Sequence, residues 1–143
     1  MPPINKDLDA LAGLFRAALE AWLAAARAKV EHVEFRVTET RRTLERQQWL
    51  YAQGREPPYL NTPQRTWTLD SRHRRGLAAD LAMIRRSTGE AIWEVSSWSW
   101  LYRFVPPEPY GLKHLGPTEW VHLELYLADS AIRSADALGL VQL

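Results

Sequence analysis

The segment Trp120-Val-His-Leu-Glu-Leu-Tyr-Leu127 alternates without a fault, and that alternation leaves little freedom in what this chain can fold into. Side chains of a strand point in turn to its two faces. Val121, Leu123, Leu125 and Leu127 therefore share one face, and His122, Glu124 and Tyr126 share the other. The odd face belongs on a hydrophobic core, and the even face projects His122 toward a polar cleft. Glu119 lies just before the strand, where the chain can still curve toward the same cleft.

Other segments supply the rest of a domain. Leu8, Leu11, Phe15, Leu19, Trp22 and Ala26 recur every three or four residues, which predicts an amphipathic helix over residues 7–30, capped by Asn5 or Asp7. Val33, Phe35 and Val37 alternate with charged residues and read as a half-buried strand. A second helix is expected over 43–53, opened by Thr43 and stopped by Gly54. The prolines of residues 55–66 mark a loop long enough to be a surface flap. Residues 77–84 read as a strand bounded by Gly76 and Gly89. Residues 91–104, rich in Trp and Ser, fit either a helix or a strand pair, and residues 105–111 form a loop. Two helices followed by strands with irregular connections predict an α+β fold with an antiparallel sheet, as one domain over residues 1–143.

Composition narrows the chemistry. The 143 residues, 46% hydrophobic and 24% charged, suffice for one buried core and argue against disorder. A net charge of +1 gives no field that points to nucleic acid. The chain has no cysteine, which removes disulfides, thiolate catalysis and cysteine-based zinc sites together. Any metal must be held by Asp, Glu or the four histidines His32, His73, His114 and His122. The N-terminus carries no basic, apolar signal segment and no apolar run approaches the ~18 residues of a membrane span. Synthesis in the cytoplasm without membrane insertion is the expectation.

The second candidate strand carries Asp80 on one face with Ala78 and Ala82, which leave room around the carboxylate. His73 precedes Gly76, a residue that permits the turn needed to bring an upstream imidazole beside Asp80. Two imidazoles and a carboxylate, with a fourth position left for water, make a catalytic zinc set. Zinc brings its bound water to a pKa of ~7, and Glu119 would accept that water's proton. Taken singly, His73 and His122 also read as ordinary surface or core histidines, and no His-Glu-x-x-His helix is present to settle the metal.

The residues also resemble a known family. Ser71-Arg-His73-Arg-Arg-Gly76-Leu-Ala-Ala-Asp80 resembles the Ser-x-His-x-x-Gly-x-Ala-x-Asp motif of the VanY-like zinc D-alanyl-D-alanine carboxypeptidases and L-alanyl-D-glutamate endopeptidases. Glu119-Trp-Val-His122 resembles the family's second motif, and the segment from Glu39 through Arg42, Thr43, Gln47, Leu50 and Tyr51 to Gly54-Arg55 resembles its upstream motif. The resemblance runs from about residue 33 to 127. It implies a central antiparallel sheet with N-terminal helices packed on it and one zinc ion held by His73, Asp80 and His122. It also implies Glu119 as general base, Arg42 as the arginine that polarises the scissile carbonyl, and Gln47 and Ser71 as residues that orient the ligands.

Several positions depart from the family pattern. Tyr110 to Thr118 replaces a Trp-Gly-Gly segment, Glu119 replaces the aspartate of many endopeptidases, and Arg74-Arg75 replace small or polar residues. His114 reads as a substrate contact or a structural residue. Trp67 and Trp120 flank the motifs as cleft walls, and Trp93, Trp98 and Trp100 line a glycan groove or fill the core. The resemblance implies a monomeric enzyme acting on bacterial peptidoglycan, most simply a phage endolysin that cuts L-Ala–D-Glu and reaches the wall after phage-mediated release. The alternatives are a D-Ala-D-Ala carboxypeptidase and, in another class, a non-catalytic wall-binding or virion structural module.

Overall fold

The apolar stripe of the first segment forms a helix, but a shorter one than its periodicity predicts. The computed structural model describes residues 1–127 and 137–139. In it the stripe divides into a 3-10 turn over Leu8–Ala10 and helix α1 over Gly13–Lys29. Asp7 caps the turn by accepting from the Asp9 amide, and Leu11 and Ala12 are extended. The division has a tertiary cause, because the Ala12 amide donates to the Gly76 carbonyl at 3.0 Å instead of extending a helix.

Strand β1 (Val33–Glu39) and helix α2 (Leu44–Ala52) follow. Thr43 caps α2, its hydroxyl accepting from the Arg46 amide. After an irregular stretch come a 3-10 turn at Arg72–Arg75, strand β2 (Ala78–Arg85) and helix α3 (Val95–Phe104). Two short strands complete the domain, β3 (Leu112–Leu115) and β4 (Glu119–Leu125). The Trp- and Ser-rich segment is therefore a helix, preceded by a single bridge between Ala91 and Ile84. Its buried residues Trp98, Leu101 and Tyr102 are spaced by three and four, the mark of a helix packed on one side. Strand β3 escapes the sequence pattern because its four residues offer too short a run to show a period.

All four strands are antiparallel, in the order β1-β2-β4-β3. One face of the sheet, with Phe35, Leu81, Met83 and Leu123, joins Phe15, Leu19 and Trp22 of α1 and Trp98 and Leu101 of α3 in a single core. Each fully buried side chain of this size contributes about 1.5–3 kcal/mol of burial free energy. The indoles also satisfy their donors, Trp22 bonding the Val105 carbonyl at 2.9 Å and Trp98 the Ile92 carbonyl at 3.0 Å. Of the two N-terminal helices, α1 belongs to this core, whereas the buried residues of α2 lie outside it. Trp93, Trp100 and Trp67 are exposed, so the tryptophans divide between core and surface. No helix among the described residues is long and apolar enough to cross a membrane.

Gly76 joins the N-terminal segment to the site. Its φ of +69° lies in the left-handed region, and a Cβ there would sit 2.9 Å from the Ala10 carbonyl oxygen and 3.0 Å from the Ala12 amide. Both obstacles are backbone and cannot rotate away. Gly76→Ala is expected to destabilise the protein by about 1–3 kcal/mol, read as a lower urea midpoint at unchanged slope.

Candidate active site

On the sheet face turned away from the core, β2 and β4 pair so that Asp80 lies directly opposite His122. His73 reaches the same point from the 3-10 turn that Ser71 caps, the Ser71 hydroxyl accepting from the His73 amide at 3.2 Å. The result is a tight group. His73 Nε2 lies 3.2 Å from Asp80 Oδ1 and 3.2 Å from His122 Nδ1, and His122 Nδ1 lies 3.4 Å from Asp80 Oδ1. Both imidazoles are buried.

The partners of the other ring nitrogens decide what these contacts are. His73 Nδ1 lies 2.8 Å from the Thr40 carbonyl, which can only accept, so Nδ1 carries the proton and Nε2 the lone pair. His122 Nε2 lies 2.9 Å from Glu124 Oε1, so in the neutral ring Nδ1 carries the lone pair. With both rings neutral, three acceptor atoms converge with no hydrogen between the two imidazoles, an arrangement a cation resolves. Zinc with ligand bonds of about 2.0–2.1 Å in a tetrahedron sets its donors about 3.3 Å apart. The observed separations fit this, and His73, Asp80 and His122 form the group able to hold a metal among the described residues.

Charge around the group is balanced in layers. Burial opposes ionisation of Asp80, but the His122 and His73 imidazoles against it outweigh this and hold the carboxylate well below its usual range. Burial likewise disfavours the His122 imidazolium, yet Asp80 and Glu124 overcome it and push its pKa up to about 9. Glu124 is anchored by Arg72 at 3.1 Å. A register irregularity after Val37 sets Glu39 opposite Asp80, and two acids facing each other across strands would repel. Arg42 Nη2 bridges them, 3.0 Å from Glu39 and 3.4 Å from Asp80, while Arg46 holds the other Glu39 oxygen. Gln47 accepts from Arg42 Nη1 at 3.2 Å and donates to the Thr68 carbonyl at 2.6 Å, tying the following loop to the site.

Glu119 enters through a break in the β3–β4 register. His114 pairs with Leu123 but Leu115 with Glu119, so one step on β3 matches four on β4. An odd shift reverses the alternation of faces, which turns Glu119 toward the side of His122. Its carboxyl makes no hydrogen bond among the described residues. Burial raises its pKa, as does the charge of Asp80, against the lowering effects of His122, His73 and Arg42.

Two candidates from the sequence take other places. His114 stacks face to face on Tyr102, ring centroids 4.5 Å apart, and its Nδ1 accepts from the Gly116 amide. Trp120 joins this stack on His114, and its carbonyl accepts from the Tyr102 hydroxyl at 2.6 Å. Both pack beside Glu119 as support for the strand. Residues that the sequence did not single out complete the site: the Thr40 carbonyl, Glu39, Arg46, Arg72 and Tyr102. Glu124 was within reach of the pattern, since it shares the even face with His122.

In the metal-free protein His122 binds its proton more tightly than the ordinary value of 6.5. That proton stabilises the fold fully below pH 6.5 and is lost as pH rises through about 9. A metal must displace it. Apparent zinc affinity, measured against a competing chelator, is expected to rise about tenfold per pH unit toward pH 9 and then level off. A flat profile from pH 6 upward would contradict the raised His122 pKa.

No family model and no curated protein matches this sequence. Solved structures do. The L-Ala D-Glu endopeptidase ChiX of Serratia marcescens is 20% identical with a TM-score of 0.52, the match covering 82% of each chain. VanYB in complex with D-Alanine-D-Alanine is 19% identical with a TM-score of 0.58, covering 98% of this chain and 85% of that one. A mutant of the vancomycin resistance D,D-pentapeptidase VanY in complex with Zn(II) is 20% identical with a TM-score of 0.54, covering 88% and 78%. The helices, the sheet and the placement of the His73, Asp80 and His122 group on it are those of one small α+β domain, and that domain has the VanY-like peptidase fold.

Proposed function

We propose that this protein is a zinc-dependent peptidase of the VanY-like family that hydrolyses peptide bonds in bacterial peptidoglycan, with His73, Asp80 and His122 holding one ion. The observation that carries this reading is the convergence of three lone-pair atoms at zinc spacing beside a carboxyl group raised above its usual pKa. Zinc, when bound, supplies a Lewis acid and a coordinated water of pKa ~7. Glu119 receives a proton at its carboxylate and returns it to the leaving amine, and a raised pKa suits a group that must do both. Arg42, fixed by Glu39 and Gln47, presents a permanent positive charge that stabilises the oxyanion developing at the scissile carbonyl. Ser71 and Gln47 hold the first histidine and Arg42 in place.

The bond we assign is L-Ala–D-Glu of the stem peptide, as in a phage endolysin that reaches the wall after release and works as a monomer. The likeness to the endopeptidase ChiX supports it. The likeness to VanYB, which was solved with D-Alanine-D-Alanine, supports the second reading, a D-Ala-D-Ala carboxypeptidase.

Digestion of purified peptidoglycan with zinc supplied, followed by mass spectrometry, separates these. Cleavage after L-Ala is expected, and release of terminal D-Ala alone would transfer the assignment to the carboxypeptidase. Binding of wall fragments with no hydrolysis would leave a non-catalytic module. Glu119→Ala is expected to retain zinc and lose activity by about 10²–10⁴-fold, whereas His122→Ala loses both. Equal zinc loss in the two variants would contradict the assigned roles.

A further inference from the structure

A cleft of about 320 Å³ adjoins the site on the side of Arg42 and is lined by Arg41, Arg74, Asn5 and Thr43 as well. Its walls are stitched together by hydrogen bonds to backbone carbonyls. The Arg42 amide donates to the His73 carbonyl at 2.9 Å, Arg41 Nε donates to the Arg74 carbonyl at 3.2 Å, and the Thr40 amide donates to the Asn5 carbonyl at 2.7 Å. The guanidinium-bearing residues therefore leave one rigid seam that also carries the His73 ring.

The charges on this seam are unevenly matched. In the 3-10 turn Arg72 is paired with Glu124 and Arg75 with Asp70. Arg74, the one of these that lines the cleft, has no ion pair and no side-chain hydrogen bond among the described residues. Glu39 is already held by Arg42 and Arg46. Among the described residues no carboxylate lines the cleft. A half-buried arginine without an ion pair among the described residues, in a concavity that shares Arg42 with the site, is complementary to an anion of the substrate.

We propose that this cleft is a subsite for a carboxylate of the stem peptide, with Arg74 as the residue that selects it. The identity of the peptide rests on the peptidase reading above, while the preference for a carboxylate rests on the cleft alone. Two groups of a stem peptide offer this chemistry: the carboxylate of D-Glu left free by its linkage, and a C-terminal carboxylate.

The test is calorimetric binding to the full chain, with zinc and after its removal, of two peptide pairs. One pair carries L-Ala–D-Glu with this carboxylate free or amidated; the other carries D-Ala–D-Ala with a free or amidated C-terminus. The free form of one pair is expected to bind about tenfold tighter than its amide, the yield of one charge-assisted contact. The preference should persist without zinc, fall to near unity in Arg74→Gln and survive in Arg74→Lys, with zinc affinity and urea midpoint unchanged in both variants. The pair that shows it identifies the carboxylate. Equal preference in wild type and Arg74→Gln, or none in wild type, overturns the proposal. A preference as expected in a protein that hydrolyses neither peptide with zinc would retain the subsite and reject the peptidase reading. Hydrolysis without any preference would do the reverse.

Discussion

The cross-strand pair of Asp80 on β2 with His122 on β4 is the contact around which the rest of the site is arranged. It places a carboxylate and an imidazole side by side in a buried setting, and His73 adds a second imidazole to the same point. Burying such groups is costly unless each is paired. Here each has a partner that leaves one atom free for the centre: the Thr40 carbonyl takes the His73 proton, Glu124 takes that of His122, and Arg42 takes the second oxygen of Asp80. The surrounding shell thus does two things at once. It offsets the desolvation of the ionic groups, and it fixes which nitrogen of each ring can act as a ligand.

Division of labour between the two faces of the sheet makes this possible. Helices α1 and α3 cover one face and supply an apolar core, closed by indole donors that find backbone carbonyls. The other face is released from packing and carries polar groups. Departures from regular pairing occur where the site needs them. The irregularity in β1 brings Glu39 to Asp80, and the one in β4 turns Glu119 toward His122. The stacked rings of Tyr102, His114 and Trp120, with the Tyr102 hydroxyl on the Trp120 carbonyl, hold that second irregularity against the core.

Much of this was legible in the chain. Alternation in residues 120–127 identified β4 and the face of His122, the alanines around Asp80 marked an open strand face, and the Thr43 cap opened α2 as expected. Absence of cysteine restricted any metal to His, Asp and Glu, and the structure assembles one such group from His73, Asp80 and His122. The limits of legibility have physical reasons. The first helix is shorter than its stripe because a distant glycine carbonyl captures the Ala12 amide. Strand β3 is too short to display a period, and α3 hid its helical spacing among exposed tryptophans. His114 was open between substrate and structure, and its ring is taken by stacking.

Sequence by itself determined the residue types and the faces of the elements, because local periodicity and side-chain chemistry are properties of short segments, and the family resemblance pointed to the members of the central group. Only the tertiary structure decided the tautomer of each histidine, the bridging of two facing acids by Arg42, the turn of Glu119 toward His122 and the lack of an ion pair at Arg74 among the described residues. Several of these depend on a partner far away in the chain, such as the Thr40 carbonyl for His73 or Asp80 for Arg42. Such partners are set by strand register and packing, which no local pattern encodes.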